Sequence, residues 1–216
     1  MAPPQERDAR GKRAAILDAA IERFGRDGYE HTKWSDIAAD VGVGPTALYH
    51  YFESKQHCLF VIMDDALVDM GKRFQSLTAD APDQMNALRA VLADCFAIDP
   101  HEVLRNRLLV AEQGLLAHSC QSPREEAARL EARAHTRELE LAWALFLARA
   151  MEAGAIALGH PRLTARAILG IYNSIFTWFR PSGSIELERM ATFFTERILA
   201  MLGASPAAPD RLELAA

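Results

Sequence analysis

Apolar positions recur at helical spacing through almost the whole chain. Ile16, Ala20 and Phe24 step by four, with Leu17 and Ile21 beside them, and predict an amphipathic helix from about Arg7 to Arg26. Gly28 and the polar run to Thr32 end it. Thr32 or Lys33 opens a short second helix through Val41, with Thr32 as its cap and Asp36 suiting the positive end of the dipole. Gly42 breaks that helix, and Pro45 suits the first position of a third that runs only to about Tyr51. Ser54 caps a long fourth helix striped by Leu59, Met63, Ala66, Leu67, Met70, Phe74 and Leu77.

Beyond this point the segments lengthen. Pro82, Pro100 and Pro123 each mark a helix start, and Ser122–Glu125 reads as a capping box with proline at its first helical position. The helix that follows carries Leu130, Leu141, Trp143, Leu145 and Phe146 and stops near Gly154. Another runs from about Leu163 to Phe179. After an Arg-Pro-Ser-Gly-Ser interruption, Ser184 caps a final helix to about Leu202, and residues 204–216 read as a frayed tail. No alternating strand pattern extends beyond a few residues, and no internal repeat is present. The fold class is all-α, with about nine helices.

Composition changes this picture little. Half the residues are hydrophobic and a quarter charged, enough for a sizeable core in 216 residues. Cys58, Cys95 and Cys120 form no Cys-x-x-Cys pair, so neither a metal knuckle nor a disulfide framework is indicated, and a reducing cytoplasm fits. No apolar run approaches the ~18 residues of a membrane span. The first thirteen residues lack the apolar centre of a signal peptide and read as a disordered, partly basic arm with Arg7, Arg10, Lys12 and Arg13. We read no cofactor, no metal site and no catalytic residue from the sequence: it has no Gly-x-Ser-x-Gly, no phosphate-cradling glycine loop and no His/carboxylate cluster.

The two short helices joined across Gly42-Val43-Gly44 have the proportions of a helix-turn-helix. Gly42 permits the tight turn. The second helix leads with small residues, Gly44, Pro45, Thr46 and Ala47, as entry into a major groove about 12 Å wide requires. Thr32 to Leu59 resembles the DNA-binding signature of the TetR family of transcriptional regulators. The resemblance rests on Asp36-Ile37-Ala38, Gly42-Val43, and Leu48-Tyr49 leading through Phe52 to Lys55. It covers about residues 10–65. It implies phosphate contacts by Thr32, Lys33, Tyr49 and Lys55, and groove contacts by Pro45, Thr46, Ala47 and His50. Gly44 and Pro45 depart from the family's usual serine cap and polar first residue, so the operator cannot be borrowed from relatives. Pro45 has no amide hydrogen and offers only apolar contact.

Charge sets a condition on this reading. Net charge is −5, and residues 1–58 hold eight Lys and Arg against nine Asp and Glu. DNA binding then depends on arrangement and on two half-sites read at once by a dimer. The domain reading is an arm and DNA-binding part over 1–54, and a ligand-binding and dimerisation part over 55–203. Dimer contact is expected from Tyr172, Ile175, Phe176, Phe179, Met190, Phe194 and Ile198 on the last two helices. A hydrophobic effector is expected among Phe74, Phe96, Gln113, Trp143, Phe146 and Trp178. Thr177–Gly183 is similar to a Trp-Phe-Arg-Pro-x-Gly turn in family branches that respond to acyl-CoA thioesters, although a plain helix end and turn accounts for it equally. The function implied is a dimeric, ligand-released repressor on a palindromic duplex operator. An activator on the same fold, or an all-α enzyme, stays open.

Overall fold

The computed structural model describes residues 4–180 and 183–204. Residues 205–216 of the expected tail, Pro181 and Ser182 of the interruption, and Met1–Pro3 of the arm lie outside them. Among the described residues the chain is all-α, without strands. Its helices are α1 (Pro4–Asp27), α2 (Trp34–Asp40), α3 (Pro45–Tyr51), α4 (Lys55–Thr78), α5 (Gln84–Phe96), α6 (Pro100–Ala111), α7 (Pro123–Glu152), α8 (Pro161–Trp178) and α9 (Leu187–Met201), with a short 3-10 helix over Gln113–Ala117. No described helix is long and apolar enough to cross a membrane. The arm expected to be disordered is helical from Pro4, because proline at the first helical position lacks only an amide that has no partner there.

Packing divides the chain into two units. The first takes in the chain up to Lys72 and Asp99–Leu139. Its core gathers the predicted α1 stripe, Ile16, Ala20 and Phe24, with Ile37 and Ala38 of α2, Leu48 of α3, Phe52, and Leu59 and Met63 of α4. Phe24 and Tyr29 meet edge to face at 5.2 Å, and Trp34 meets Phe52 at 6.4 Å. The turn between α2 and α3 is closed by Gly42 at φ 67°, with its amide donating to Ala39 and the Val43 amide donating back to Ala38. That paired bonding satisfies two orphan carbonyls and needs a left-handed residue at the corner.

Two capping expectations are corrected. Lys33, not Thr32, stands at the N-cap of α2, and no side chain caps it. Thr32 is buried, and its hydroxyl donates backwards to the Gly28 carbonyl at 2.9 Å. Ser122 precedes the start of α7 at Pro123, as read from the sequence, and its side chain and that of Glu125 also reach across to the α3–α4 junction, as described below. Ser184 does not cap α9, which starts at Leu187 behind an uncapped Glu186. Ser54 does cap α4, accepting the His57 amide at 3.0 Å. Asp99 and Glu102 make a reciprocal capping box on α6 that the sequence reading missed.

The second unit takes in Arg73–Ile98 and the chain from Glu140 on. Here α9 packs on α5 and on α8. Phe74, Trp143 and Phe146 form a closed aromatic cluster, with ring centroids 4.8 and 5.9 Å from Phe74.

Candidate nucleic-acid interface

Helix α3 has seven residues, too few to be stable alone, so tertiary packing must hold it. Leu48 and Phe52, one turn apart, are fully buried in the first unit's core. Helical geometry then turns Pro45, Thr46, Tyr49 and His50 the other way, and all four are exposed, Tyr49 by 54%. Gly44 is exposed at the N-cap, and Ala47 is half-buried at the edge of this face.

Ion pairs tie up several of the acids on α1 and α2. Arg23 donates to both carboxylate oxygens of Asp40, at 2.6 and 2.8 Å, tying α1 to α2. This forked contact holds the Asp40 carboxyl below the usual carboxylate range and raises the Arg23 guanidinium. Asp27 also pairs with Arg23, and Glu22 with Arg26. Three of the acids counted against DNA binding are thus matched within α1 and α2. Lys33 is exposed and has no ion pair among the described residues. Arg10, Lys12 and Arg13 are exposed along α1, and the Arg13 guanidinium lies 5.2 Å from the Phe52 ring centre.

Two residues carried over by resemblance have partners inside the unit. The Lys55 ammonium donates to the Tyr29 and Thr32 carbonyls. Thr32 faces inward, as noted above. Both therefore brace the loop between α1 and α2.

The junction of α3 with α4 is joined to the start of α7 by a crossed pair of hydrogen bonds. Ser122 donates to Glu53, and Ser54 donates to Glu125. Arg124 adds an ion pair to Glu53 at 3.8 Å. The Glu53 amide donates to His57 Nδ1 at 3.1 Å, and burial pushes the His57 pKa down. One turn further along α7, the buried Arg129 binds Glu126 in a fork and donates to the Leu116 carbonyl at 2.6 Å, while Glu126 also accepts the Cys120 amide. None of these contacts was foreseen. Only the Glu126/Arg129 spacing of three carried a local signal.

The expected effector residues fall in several places among the described residues. Phe74, Trp143 and Phe146 fill their own cluster. Gln113 is exposed at the start of the 3-10 helix in the first unit. Phe96 borders a groove of about 700 Å³ between α5 and α9, with Arg89, Leu187, Ala191, Glu196 and Leu199. Trp178 borders a separate cavity of about 520 Å³ with Ile185, Arg189 and Phe193. Of the residues expected on a dimer face, Tyr172, Ile175, Phe176, Phe179, Met190 and Ile198 are buried within the single chain, and Phe194 is partly so. Trp178, Ile185 and Phe193 cluster among the large apolar side chains exposed along this stretch, with Leu163 at the start of α8 and Met201 at the end of α9 exposed as well.

Comparison with known proteins agrees with this architecture. A family model described as bacterial regulatory proteins, tetR family, matches residues 16–62. One described as the tetracyclin repressor-like C-terminal domain matches residues 112–202. The HTH-type transcriptional repressor KstR2 of Rhodococcus jostii (strain RHA1) is 32% identical over 103 residues, 46% of this chain and 50% of that protein. The chain spans about half the length of the curated relatives it matches. Among solved structures, AibR in complex with isovaleryl coenzyme A and operator DNA superposes with a TM-score of 0.73 at 22% identity, covering 87% of this chain and 97% of that one. PfmR from Thermus thermophilus does so with a TM-score of 0.71 at 27% identity, covering 86% and 97%. With the tetR family model on the helix-turn-helix, the repressor-like model on the later helices and the shared all-α fold, the chain belongs to the TetR family of transcriptional regulators.

Proposed function

We propose that the chain is a dimeric repressor that binds a palindromic duplex operator and leaves it on binding a hydrophobic small molecule. The observation that carries this is the outward face of α3, with Pro45, Thr46, Tyr49 and His50 exposed while Leu48 and Phe52 anchor the helix. Lys33, Gly44 and Ala47 border that face, and Thr32 and Lys55 support it from behind. Residues 1–54 serve DNA and 55–203 serve effector and partner. The second copy packs on Trp178, Ile185 and Phe193, with Phe194 at the edge, while the other expected dimer residues hold the chain's own core together.

Repression follows the sense of KstR2, which is named a repressor. The effector is taken to be acyl-CoA-like on the example of AibR, which was crystallised with isovaleryl coenzyme A. The α5–α9 groove, lined by Phe96, Leu187 and Leu199, has the apolar surface for an acyl chain, with Arg89 beside Glu188 and Glu196 among its charged residues. An effector releases DNA only through unequal affinity for the two states of the protein.

The test is selection of bound duplexes from a random pool, with gel retardation of the winner in the presence and absence of isovaleryl coenzyme A. Enrichment of an inverted repeat, and its release by the thioester, supports the reading. Failure to enrich any sequence contradicts it, and retention despite thioester contradicts the effector class. Sedimentation at micromolar concentration must show two copies of the chain.

A further inference from the structure

The exposed face of α3 is short of the groups that usually read DNA. Arg and Lys pair with guanine, and Asn and Gln with adenine, through two hydrogen bonds in the major groove. None of the four occurs from Gly44 to Tyr51. Lys33, exposed at the N-cap of α2, lies outside this helix. Lys55 is spent on the Tyr29 and Thr32 carbonyls, and Arg23 on Asp40. What the face presents is carbon first. Pro45 offers an exposed ring with no amide hydrogen, Thr46 an exposed methyl beside its hydroxyl, and Ala47 a half-buried methyl. The apolar group that base pairs show in the major groove is the C5-methyl of thymine.

Resting on the reading of α3 as the DNA-contacting helix, we infer that this protein selects its operator largely through thymine methyl groups packed against Pro45 and Thr46. Tyr49 and His50, the polar members of the face, then fix position and add single hydrogen bonds rather than forked ones. A carbon face discriminates by shape and by water excluded, not by paired donors and acceptors. Each thymine methyl buried contributes about as much as one CH₂ group, equivalent to roughly fourfold in affinity. Used in both half-sites, the same contact is worth on the order of tenfold.

Deoxyuridine tests this directly, because it differs from thymidine only by that methyl. The full-length protein selects duplexes from a random pool. The winning duplex is remade with deoxyuridine at each thymine in turn, and affinity is read by fluorescence anisotropy at fixed salt. Wild type is compared with Pro45→Ala and with Thr46→Ser, the second of which removes a methyl and keeps the hydroxyl. We expect at least one thymine per half-site where deoxyuridine weakens wild-type binding about fourfold, and where one of the two variants is indifferent to the exchange. If no thymine responds in the wild type, the inference is overturned whatever the variants do. It is equally overturned if both folded variants respond as the wild type does. A pool from which nothing is enriched is a different result, since it removes the DNA-binding reading itself.

Discussion

The Lys55 ammonium lies 4.2 Å from the centre of the Tyr29 ring and donates to the Tyr29 carbonyl at 2.7 Å. A second bond reaches the Thr32 carbonyl at 3.1 Å. Lys55 therefore acts first as a brace for the α1–α2 loop. Lys55→Met should lower stability by about 1–2 kcal/mol, in line with charged hydrogen bonds that are only partly shielded from water. It should leave the salt dependence of DNA binding nearly unchanged. Lys33→Ala should do the reverse, keeping the melting temperature and reducing the slope of log K against log salt by ~0.9 per copy. Thermal unfolding and anisotropy across a salt series separate the two.

Gly25 and Gly71 both sit inside helices, yet they should respond oppositely to alanine. A Cβ on Gly25 would stand 2.8 Å from the Leu104 Cβ, so α1 and α6 would have to move apart. Gly25→Ala should cost about 1–3 kcal/mol. Nothing lies within 4 Å of a Cβ on Gly71 in α4. Gly71→Ala should gain about 0.5–1 kcal/mol through helix propensity. Chemical denaturation of the two variants checks the contrast.

Much of this architecture was legible in the chain, and the reasons differ by residue. Ile16, Ala20 and Phe24 are buried as their spacing requires, because a stripe of that width can only face a core. Gly42 and Pro45 mark their turn and helix start for steric reasons that hold in any context. Ser122 and Glu125 show where local pattern stops being informative. Their spacing is that of a capping box, and nothing in it announces Glu53 and Ser54, about seventy residues away, which bond to the same side chains. The stripes of α8 and α9 pose a related ambiguity. An apolar face must be covered, and nothing in its periodicity says whether the same chain or a second copy covers it. Thr32 and Lys55 carry family positions whose groups, here, find carbonyls within the fold.

The crossed bonds between Glu53 and Ser122 and between Ser54 and Glu125 should be energetically coupled to the elbow of α3. In a double-mutant cycle of Glu53→Gln with Ser122→Ala, the interaction energy should be about 1–2 kcal/mol, as for residues in direct contact. Additive single effects would show that the pair contributes only through separate packing.

Acid stability should carry the mark of Glu126. Its fork with Arg129, together with the Cys120 amide, lowers the carboxyl from an ordinary 4.5 to about 2. A carboxyl whose folded pKa is depressed gives stability that is fully present above its unfolded pKa and is lost as protons return. The contribution should therefore persist above pH ~4.5 and fade as pH falls toward about 2. Glu126→Gln should be less stable at neutral pH and show a flatter profile across that window. Urea unfolding at a series of pH values measures it.

DNA binding should depend most heavily on the outward side of α3. The direct measurement is the affinity of Thr46→Ala/Tyr49→Ala for the selected duplex, beside wild type, with circular dichroism and melting temperature recorded on both. These residues are exposed, so the fold should be intact, and two copies lose two contacts each. We predict a loss of about a hundredfold or more in affinity, as expected for contacts of ~1 kcal/mol repeated across a dimer. Unchanged affinity in a protein with unchanged folding would contradict the account.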